Sequence, residues 1–153
     1  MRAQAQLLSF SEVNGSVRER WQMYWSDAVV FESQLWQYMQ FDSPQMSDGD
    51  LGAERNISIV MPATTRITGA VHQALAAGWL AQLRMYEFDS AAGSSGPPAG
   101  GMTLIARFDG QAVSARGGMT SISLDLGTAL APISATAPPR VLTTRLMGVG
   151  ARL

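Results

Sequence analysis

The chain has 153 residues, of which 46% are hydrophobic and 15% are charged, with a formal net charge of -1 and no cysteine. This length is typical of one domain, and the charged fraction lies below the roughly 25% of an average soluble protein, which favours an associating surface. The near-zero net charge argues against sequence-specific nucleic-acid binding, and the lack of cysteine excludes disulfides, thiolate zinc sites and cysteine nucleophiles.

The N-terminal residues predict strands. Residues 4–13 form a weak strand pattern that ends at Asn14-Gly15, a turn signal because both residues tolerate positive φ. Residues 20–27 predict a second strand. The run from Val29 to Phe41 also alternates, but as one strand it would span about 43 Å, so we expect a bend, bulge or tight turn to interrupt it.

The run from Val29 to Phe41 carries large side chains in both of its alternating rows. The odd row contains Val29, Phe31, Leu35, Met39 and Phe41, and the even row contains Trp36 and Tyr38. Successive side chains of a strand point to opposite faces, so only one row can line the core of the subunit. We predict that the odd row lines this core and that the even row is buried only after assembly with another subunit.

The middle of the chain predicts a loop and a strand. Residues 42–55 are polar and rich in turn-forming residues, as expected of a surface loop. Residues 56–61 alternate again, and Pro62 ends this strand because it lacks a backbone N–H.

One helix is predicted, at about residues 64–77. Thr64 or Thr65 can cap its first free amides, and Gly78 stands where a left-handed C-cap belongs. Apolar residues recur along one face: Ile67, Ala70, Val71, Ala74 and Leu75.

The remaining residues predict further strands around a flexible loop. Residues 79–88 read as a strand, and residues 89–101 as a flexible loop of Gly, Ser and Pro. Asp109-Gly110 predicts a two-residue hairpin between strands at 102–108 and 111–115.

The last part of the chain contains two extended segments. Residues 119–126 alternate cleanly and predict a strand, and residues 131–153 predict an extended C-terminal arm or a last strand. With six or more strands and one helix, the chain predicts a single mainly β domain over residues 1–153, an antiparallel β-sandwich or barrel with one short α-helix.

A search for chemical motifs yields no catalytic, metal-binding or cofactor-binding residues. His72 is the only histidine and lies at the border of the helix face, so one chain cannot build a two-histidine metal site. Asp48, Asp50 and Glu54 do not follow the ligand order of a calcium-binding loop. No apolar run approaches the roughly 18 residues of a membrane span. We therefore expect neither an enzyme nor a membrane protein.

The aromatic residues of the N-terminal strands allow two interpretations. They could form a stacking platform for bases or sugars, but such platforms for nucleic acid sit in basic grooves, and only Arg18 and Arg20 lie nearby. A core combined with a subunit interface fits better, because aromatic residues are enriched at protein interfaces. The predicted interface residues are Trp21, Trp25, Trp36, Tyr38, Arg18 and Arg20.

The order of these segments resembles a family of short phage and prophage proteins encoded among tail genes. The resemblance runs from Val29 to Pro132. It rests on Phe31, on the strand at 56–61, on the helix that contains Ile67, and on the strands at 83–88 and 102–108. The aromatic N-terminal hairpin and the Pro138-Pro139 tail have no counterpart in this pattern.

The resemblance implies a virion structural role. The protein would be a β-rich subunit of the tail tip, hub or baseplate, similar in architecture to tail-tube and hub modules. It would assemble in the host cytoplasm with copies of itself and with neighbouring tube, hub or baseplate proteins, around a lumen through which DNA can pass. The alternative is a small ligand- or carbohydrate-binding β-barrel module.

Overall fold

The described residues form one sheet of eight strands and one helix. The computed structural model describes residues 1–43 and 56–128 of the chain. Its elements in chain order are β1 (Arg2–Ser11), β2 (Val17–Gln22), β3 (Val29–Phe31), β4 (Gln34–Tyr38), β5 (Ile57–Pro62), α1 (Thr65–Ala77), β6 (Leu80–Asp89), β7 (Thr103–Gly117) and β8 (Ser121–Thr128). This confirms the mainly β fold with one short helix.

The sheet has the strand order β3-β4-β2-β1-β6-β7-β8-β5. All neighbouring strands are antiparallel except β2 and β4, which run parallel and pair only at Trp21 with Gln37 and at Gln22 with Tyr38. Because this parallel contact is so short, β3 and β4 can leave the plane of the sheet as a hairpin.

The sheet curves until its two ends approach each other. Trp21 of β2 and Leu124 of β8 line the same small gap under α1, although three strands separate β2 from β8 in the sheet. After β4, the Met39 amide donates to the Gln22 carbonyl at 2.9 Å, and Asp42 exchanges two backbone hydrogen bonds with Val60 of β5 at 2.8 and 2.9 Å. The segment 39–42 therefore joins both ends of the sheet, which gives the fold a barrel-like closure.

Apolar side chains are buried on both faces of the sheet. The main core lies on the inner face and contains residues of α1 and of all strands except β3 and β4. A second group, which we name the outer cluster, consists of Ala5, Leu7, Trp25, Val29, Trp36, Tyr86 and Phe88. In β1, Leu8 and Phe10 belong to the main core while Ala5 and Leu7 belong to the outer cluster, as the alternation of a strand requires.

Helix α1 begins and ends as its sequence predicts. The Thr64 hydroxyl accepts a hydrogen bond from the Ile67 amide at 3.2 Å. Gly78 has φ 64°, the left-handed conformation of a C-cap, and its N–H bonds the Ala74 carbonyl. The side chains of Ile67, Val71 and Ala74 are buried, so the helix covers the inner face of the sheet.

The prediction of a hairpin turn at Asp109-Gly110 is wrong. Both residues lie inside β7, which runs without a turn from Thr103 to Gly117. Gly110 serves close packing: a Cβ at this position would lie 2.6 Å from the Gly127 carbonyl oxygen of β8. The acidic loop with Asp48, Asp50 and Glu54 and the predicted arm at 131–153 lie outside the described residues.

Candidate functional site: the β3–β4 hairpin and its anchor

The run from Val29 to Phe41 is not one strand, because a tight turn at Glu32 and Ser33 folds it into the β3–β4 hairpin. Their φ values are 54° and 61°, the left-handed conformation that a type I′ turn needs at both central positions. Neither residue is Gly or Asn, so the sequence carries none of the usual signals for this turn.

The turn changes which side chains share a face. In the hairpin Val29 pairs with Trp36, Val30 with Leu35, and Phe31 with Gln34. Paired residues point to the same face of a hairpin, and each of these pairs joins an odd position with an even one. Odd positions of β3 therefore share a face with even positions of β4. The prediction that the odd row faces the core is therefore wrong for Leu35.

The inward side of the hairpin is buried within the single chain. Trp36 is 2% exposed and Val29 is 7% exposed, and both pack in the outer cluster against β1 and β6. The prediction that the even row is buried only after assembly is therefore wrong for Trp36. Its indole N–H also donates to the Phe31 carbonyl at 3.2 Å, which links the two strands of the hairpin.

The outward side of the hairpin carries an exposed apolar pair. Val30 is 64% exposed and Leu35, directly opposite, is 53% exposed. Tyr38, at the end of β4, is 46% exposed but lies in the same row as Trp36 and not in that of Leu35. Sequence reasoning missed Val30 and Leu35 because only the turn places them on one face, and the turn has no sequence signal.

Arg84 of β6 anchors the hairpin to the sheet. Its guanidinium donates to the Glu32 carboxylate and to the Tyr86 hydroxyl, each at 2.8 Å. The Arg84 Cζ also lies 5.5 Å from the ring centroids of both Trp36 and Tyr86, which adds cation–π attraction. The Tyr86 hydroxyl donates to Glu32 at 3.2 Å, so the carboxylate of the strained turn has two partners on β6.

The phenol of Tyr86, which belongs to this anchor, has a raised pKa. Burial raises its pKa above the ordinary value of 10.0, the positive charge of Arg84 opposes the rise, and Glu32 adds to it. The hydroxyl therefore keeps its proton, and its hydrogen bond to Glu32, to higher pH than a free tyrosine.

The segment that leads into the hairpin is held by the side chain of Gln22, which is 0% exposed. Its amide nitrogen donates to the carbonyl oxygens of Trp25 and Asp27 at 2.7 and 3.0 Å. Its amide oxygen accepts from the backbone amides of Tyr24 and Trp25 at 2.9 and 2.8 Å. One side chain thus fixes the turn from which β3 departs.

Trp25 connects this turn to the segment predicted as a flexible loop, residues 89–101. The indole N–H of Trp25 donates to the Gly93 carbonyl at 2.7 Å, and its ring stacks on Phe88 with centroids 5.5 Å apart. The loop forms turns that pack at this point, and its flexibility stays a prediction.

The predicted interface residues do not form one surface. Trp21 lies in the main core, where its indole N–H donates to Glu19 at 2.9 Å, whereas Trp25 and Trp36 lie in the outer cluster. All four tryptophans of the chain, Trp79 included, are at most 5% exposed. Of the predicted aromatic anchors, Tyr38 alone presents substantial surface. Any contact of the three tryptophans with another subunit stays a prediction.

The two predicted arginines lie on β2 and not on the hairpin. Arg18 is exposed and forms an ion pair with Glu12, and Arg20 is half-buried. Nearby on the inner face, Arg66 of α1 pairs with Glu19 at 2.8 Å. Contacts of Arg18 and Arg20 with a partner stay predictions.

A small cleft of about 260 Å³ lies beside the hairpin. Val30, Phe31 and Glu32 form one wall, and Pro97, Pro98 and Met102 belong to the other. Sites for drug-sized ligands usually measure about 300–1,000 Å³ and collect several convergent polar groups. The cleft is smaller, and its one carboxylate already pairs with Arg84.

A second polar cluster lies on the outer face at the far end of the sheet. The hydroxyls of Ser58 and Ser114 donate to the two carboxylate oxygens of Asp125 at 2.5 and 2.9 Å, and Arg116 lies 3.2 Å from the same group. These hydrogen bonds, that of Ser58 above all, lower the pKa of Asp125 below its ordinary 3.8, while burial opposes the shift. The cluster joins β5, β7 and β8.

Other chemical features of the described part of the chain are few. His72 is exposed on α1. Residues 1–43 and 56–128 contain no group of three or more His, Asp or Glu side chains placed to hold a metal ion. In the same residues no helix has the length and apolar character needed to cross a bilayer.

Comparison of the sequence with protein-family models gives no match, and comparison with curated proteins gives none either.

Proposed function

We propose that the protein is a non-enzymatic structural subunit of a phage tail tip or baseplate. It assembles at the end of the tail tube with copies of itself and with neighbouring tube, hub or baseplate proteins. The resemblance of residues 29–132 to short phage tail proteins supports this proposal, and so does the low charge of the chain.

The observation that carries the proposal is the exposed apolar pair Val30 and Leu35 on the outward side of the β3–β4 hairpin. Exposed apolar side chains that lie together on a small protein mark sites of association. Tyr38 is also exposed, but it lies in the same row of β4 as Trp36, so the outward surface consists of Val30 and Leu35.

The hairpin holds this surface rigidly. Its inward side chains are buried, its turn is bonded to Arg84, and its base is fixed by Gln22. Binding of a partner to the outward side therefore costs this subunit little conformational entropy, which favours affinity.

The alternative, a small ligand- or carbohydrate-binding module, has less support. A glycan platform needs exposed aromatic faces, but the four tryptophans are buried. The cleft beside the hairpin is below the usual size of a small-molecule site. A wider cleft of about 470 Å³ lies near Phe41 and Pro62, but Asp42 is the one ionisable residue among the described residues that line it.

Purification of tail particles from the native host tests the proposal directly. We expect the epitope-tagged chain to co-purify with tails and immunogold label to mark one tail end. A chain found only in the soluble fraction, while tails are complete without it, would contradict the proposal.

A matched pair of variants then tests the hairpin surface. Leu35→Asp places a charge on the outward side, and Val13→Asp places one at a position that is 69% exposed in the β1–β2 turn. We expect both variants to fold, as judged by circular dichroism, and only Leu35→Asp to be excluded from tails. Incorporation of both to the same extent would remove the hairpin from the assembly surface.

A further inference from the structure

The outer edge of β3 is an open sheet edge. Phe31 and Gln34 flank the two-residue turn, so they form the hydrogen-bonded pair that closes the hairpin, and Val30 with Leu35 is the next, non-bonded pair. The N–H and C=O of Val30 therefore point away from β4. Of the two end strands of the described sheet, β5 carries the isolated bridge to Asp42 on its outer side, whereas β3 has no pairing there within the described residues.

The opposite end of the sheet cannot accept this edge in the same way. Val60 of β5 already bonds Asp42 through both its N–H and its C=O. Pro62, two positions along, points to the same side and has no N–H to offer. Joining β3 of one copy to β5 of the next would therefore lose most of the hydrogen bonds that a continued sheet needs.

Apart from Glu32, the side chains beside the open edge are apolar. Val30 is exposed, and the cleft next to it is walled by Phe31 on one side and by Pro98 and Met102 on the other. Its volume of about 260 Å³ suits apolar side chains of an incoming strand better than a separate ligand. Met102 offers the strand an adaptable apolar contact, and Pro98 adds a rigid one.

From these observations we infer that β3 pairs with β3 of a second copy of the chain, antiparallel, around a two-fold axis centred on Val30. A two-fold contact uses the same surface on both copies, so it needs only the edge that is open. The inference deepens the proposed function and rests on it only in taking the hairpin as a self-association surface.

The register of this pairing avoids like charges. With Val30 opposite the partner's Val30, Val29 lies opposite the partner's Phe31, so all residues of the paired strands are uncharged. Four hydrogen-bonding groups, two from each Val30, pair at the axis.

A two-fold contact closes on itself. It joins subunits in pairs, such as subunits of two stacked rings, and closure of a ring must use other surfaces. The contact therefore assigns the hairpin to pairing between copies and leaves the rest of the surface for neighbouring tail proteins.

Cysteine cross-linking tests the axis, because the chain contains no cysteine of its own. At a hydrogen-bonded antiparallel pair the Cα atoms lie about 5.5 Å apart, which is within the range of a disulfide. We expect Val30→Cys to form a disulfide-linked dimer under mild oxidation. The control Val13→Cys, which is equally accessible, should cross-link at least about tenfold more slowly, because pairing raises the effective concentration of the two thiols.

Light scattering coupled to size-exclusion chromatography supplies the second readout. Val30→Lys should convert the wild-type dimer to monomer while circular dichroism stays unchanged, since a charged edge residue blocks strand pairing. Equal cross-linking of the two cysteine variants, or a dimer that survives Val30→Lys, would overturn the inference. Incorporation into tails is measured separately. The β3 contact can therefore be overturned while the tail proposal stands, and the tail proposal can be overturned while the β3 contact stands.

Discussion

Val29 and Trp36 lie opposite each other across the β3–β4 hairpin, and both are buried against the outer face of the sheet. This pairing depends on the turn between them, and it decides which side chains the hairpin offers to a partner. The hairpin covers apolar side chains of β1 and β6 that would otherwise face solvent, so its role in stability can be tested apart from its role in assembly.

The turn itself is the first target. Ser33 has φ 61°, which a β-branched residue adopts only with strain, whereas glycine adopts it freely. We expect Ser33→Val to reduce the free energy of unfolding by about 1–2 kcal/mol and Ser33→Gly to leave it unchanged or slightly raised. Urea denaturation measures both. If residues 29–41 were one strand, valine would stabilise it, so a stabilised Ser33→Val variant would contradict the turn.

Gln22 is expected to contribute strongly to stability. Leucine at this position would remove the side-chain partners of four backbone groups in the following turn, and the two bonds to Trp25 are buried. We expect Gln22→Leu to lower the free energy of unfolding by about 2–4 kcal/mol. Gln37→Ala, at an exposed position of β4, serves as the control and should change it by less than about 0.5 kcal/mol. Equal values for the two variants would refute this role.

The raised pKa of Tyr86 leads us to expect that the folded chain loses stability at alkaline pH. Its pKa is raised in the folded chain, so its contribution is complete below the ordinary value of 10.0 and is lost as the pH rises through the folded pKa. Above pH 10 the wild type should therefore lose stability more steeply than Tyr86→Phe. Tyrosinate absorbance should also show an ionisation above pH 10 in the wild type that is absent from Tyr86→Phe. Parallel stability curves for the two proteins would speak against a buried, protonated phenol.

The lowered pKa of Asp125 leads us to expect that the folded chain loses stability at acidic pH. Its pKa is lowered in the folded chain, so its contribution is present above the ordinary 3.8 and is lost as the pH falls through the folded pKa. Asp125→Asn should thus be less stable than the wild type at neutral pH, and the difference should shrink in acid. Ser58→Ala should reduce the dependence on pH because it removes the strongest hydrogen bond. A constant difference at all pH values would disprove the effect.

Sequence patterns predicted those elements whose local signals agree with the tertiary structure. Helix α1 carries both an N-cap at Thr64 and a left-handed C-cap at Gly78, and the structure uses both. Strand β8 alternates between the core and the outer face, and Pro62 ends β5 as expected.

The incorrect predictions have two causes: a sequence signal that fits two structures, and a turn that has no sequence signal. Asp109-Gly110 is typical of a hairpin turn, but a glycine is equally required where a strand passes close to a carbonyl oxygen, as Gly110 does at Gly127. Glu32-Ser33 lacks any turn signal because contacts with Arg84 and Tyr86, distant in sequence, help to hold the strained turn. No local pattern contains that information, so the exposed pair Val30 and Leu35 could not be predicted.

The pairing of β1 with β6 determines the order in which the chain can fold. Arg2 lies opposite Asp89, and the pairing continues to Ser11 opposite Leu80. On the ribosome, β1 can form its hairpin with β2 early, but its other edge must wait until β6 has been synthesised. Sheets closed by such distant pairs fold slowly, on the order of milliseconds to seconds. During that interval the edge of β1 is open, so a high rate of synthesis should favour aggregation over native subunits.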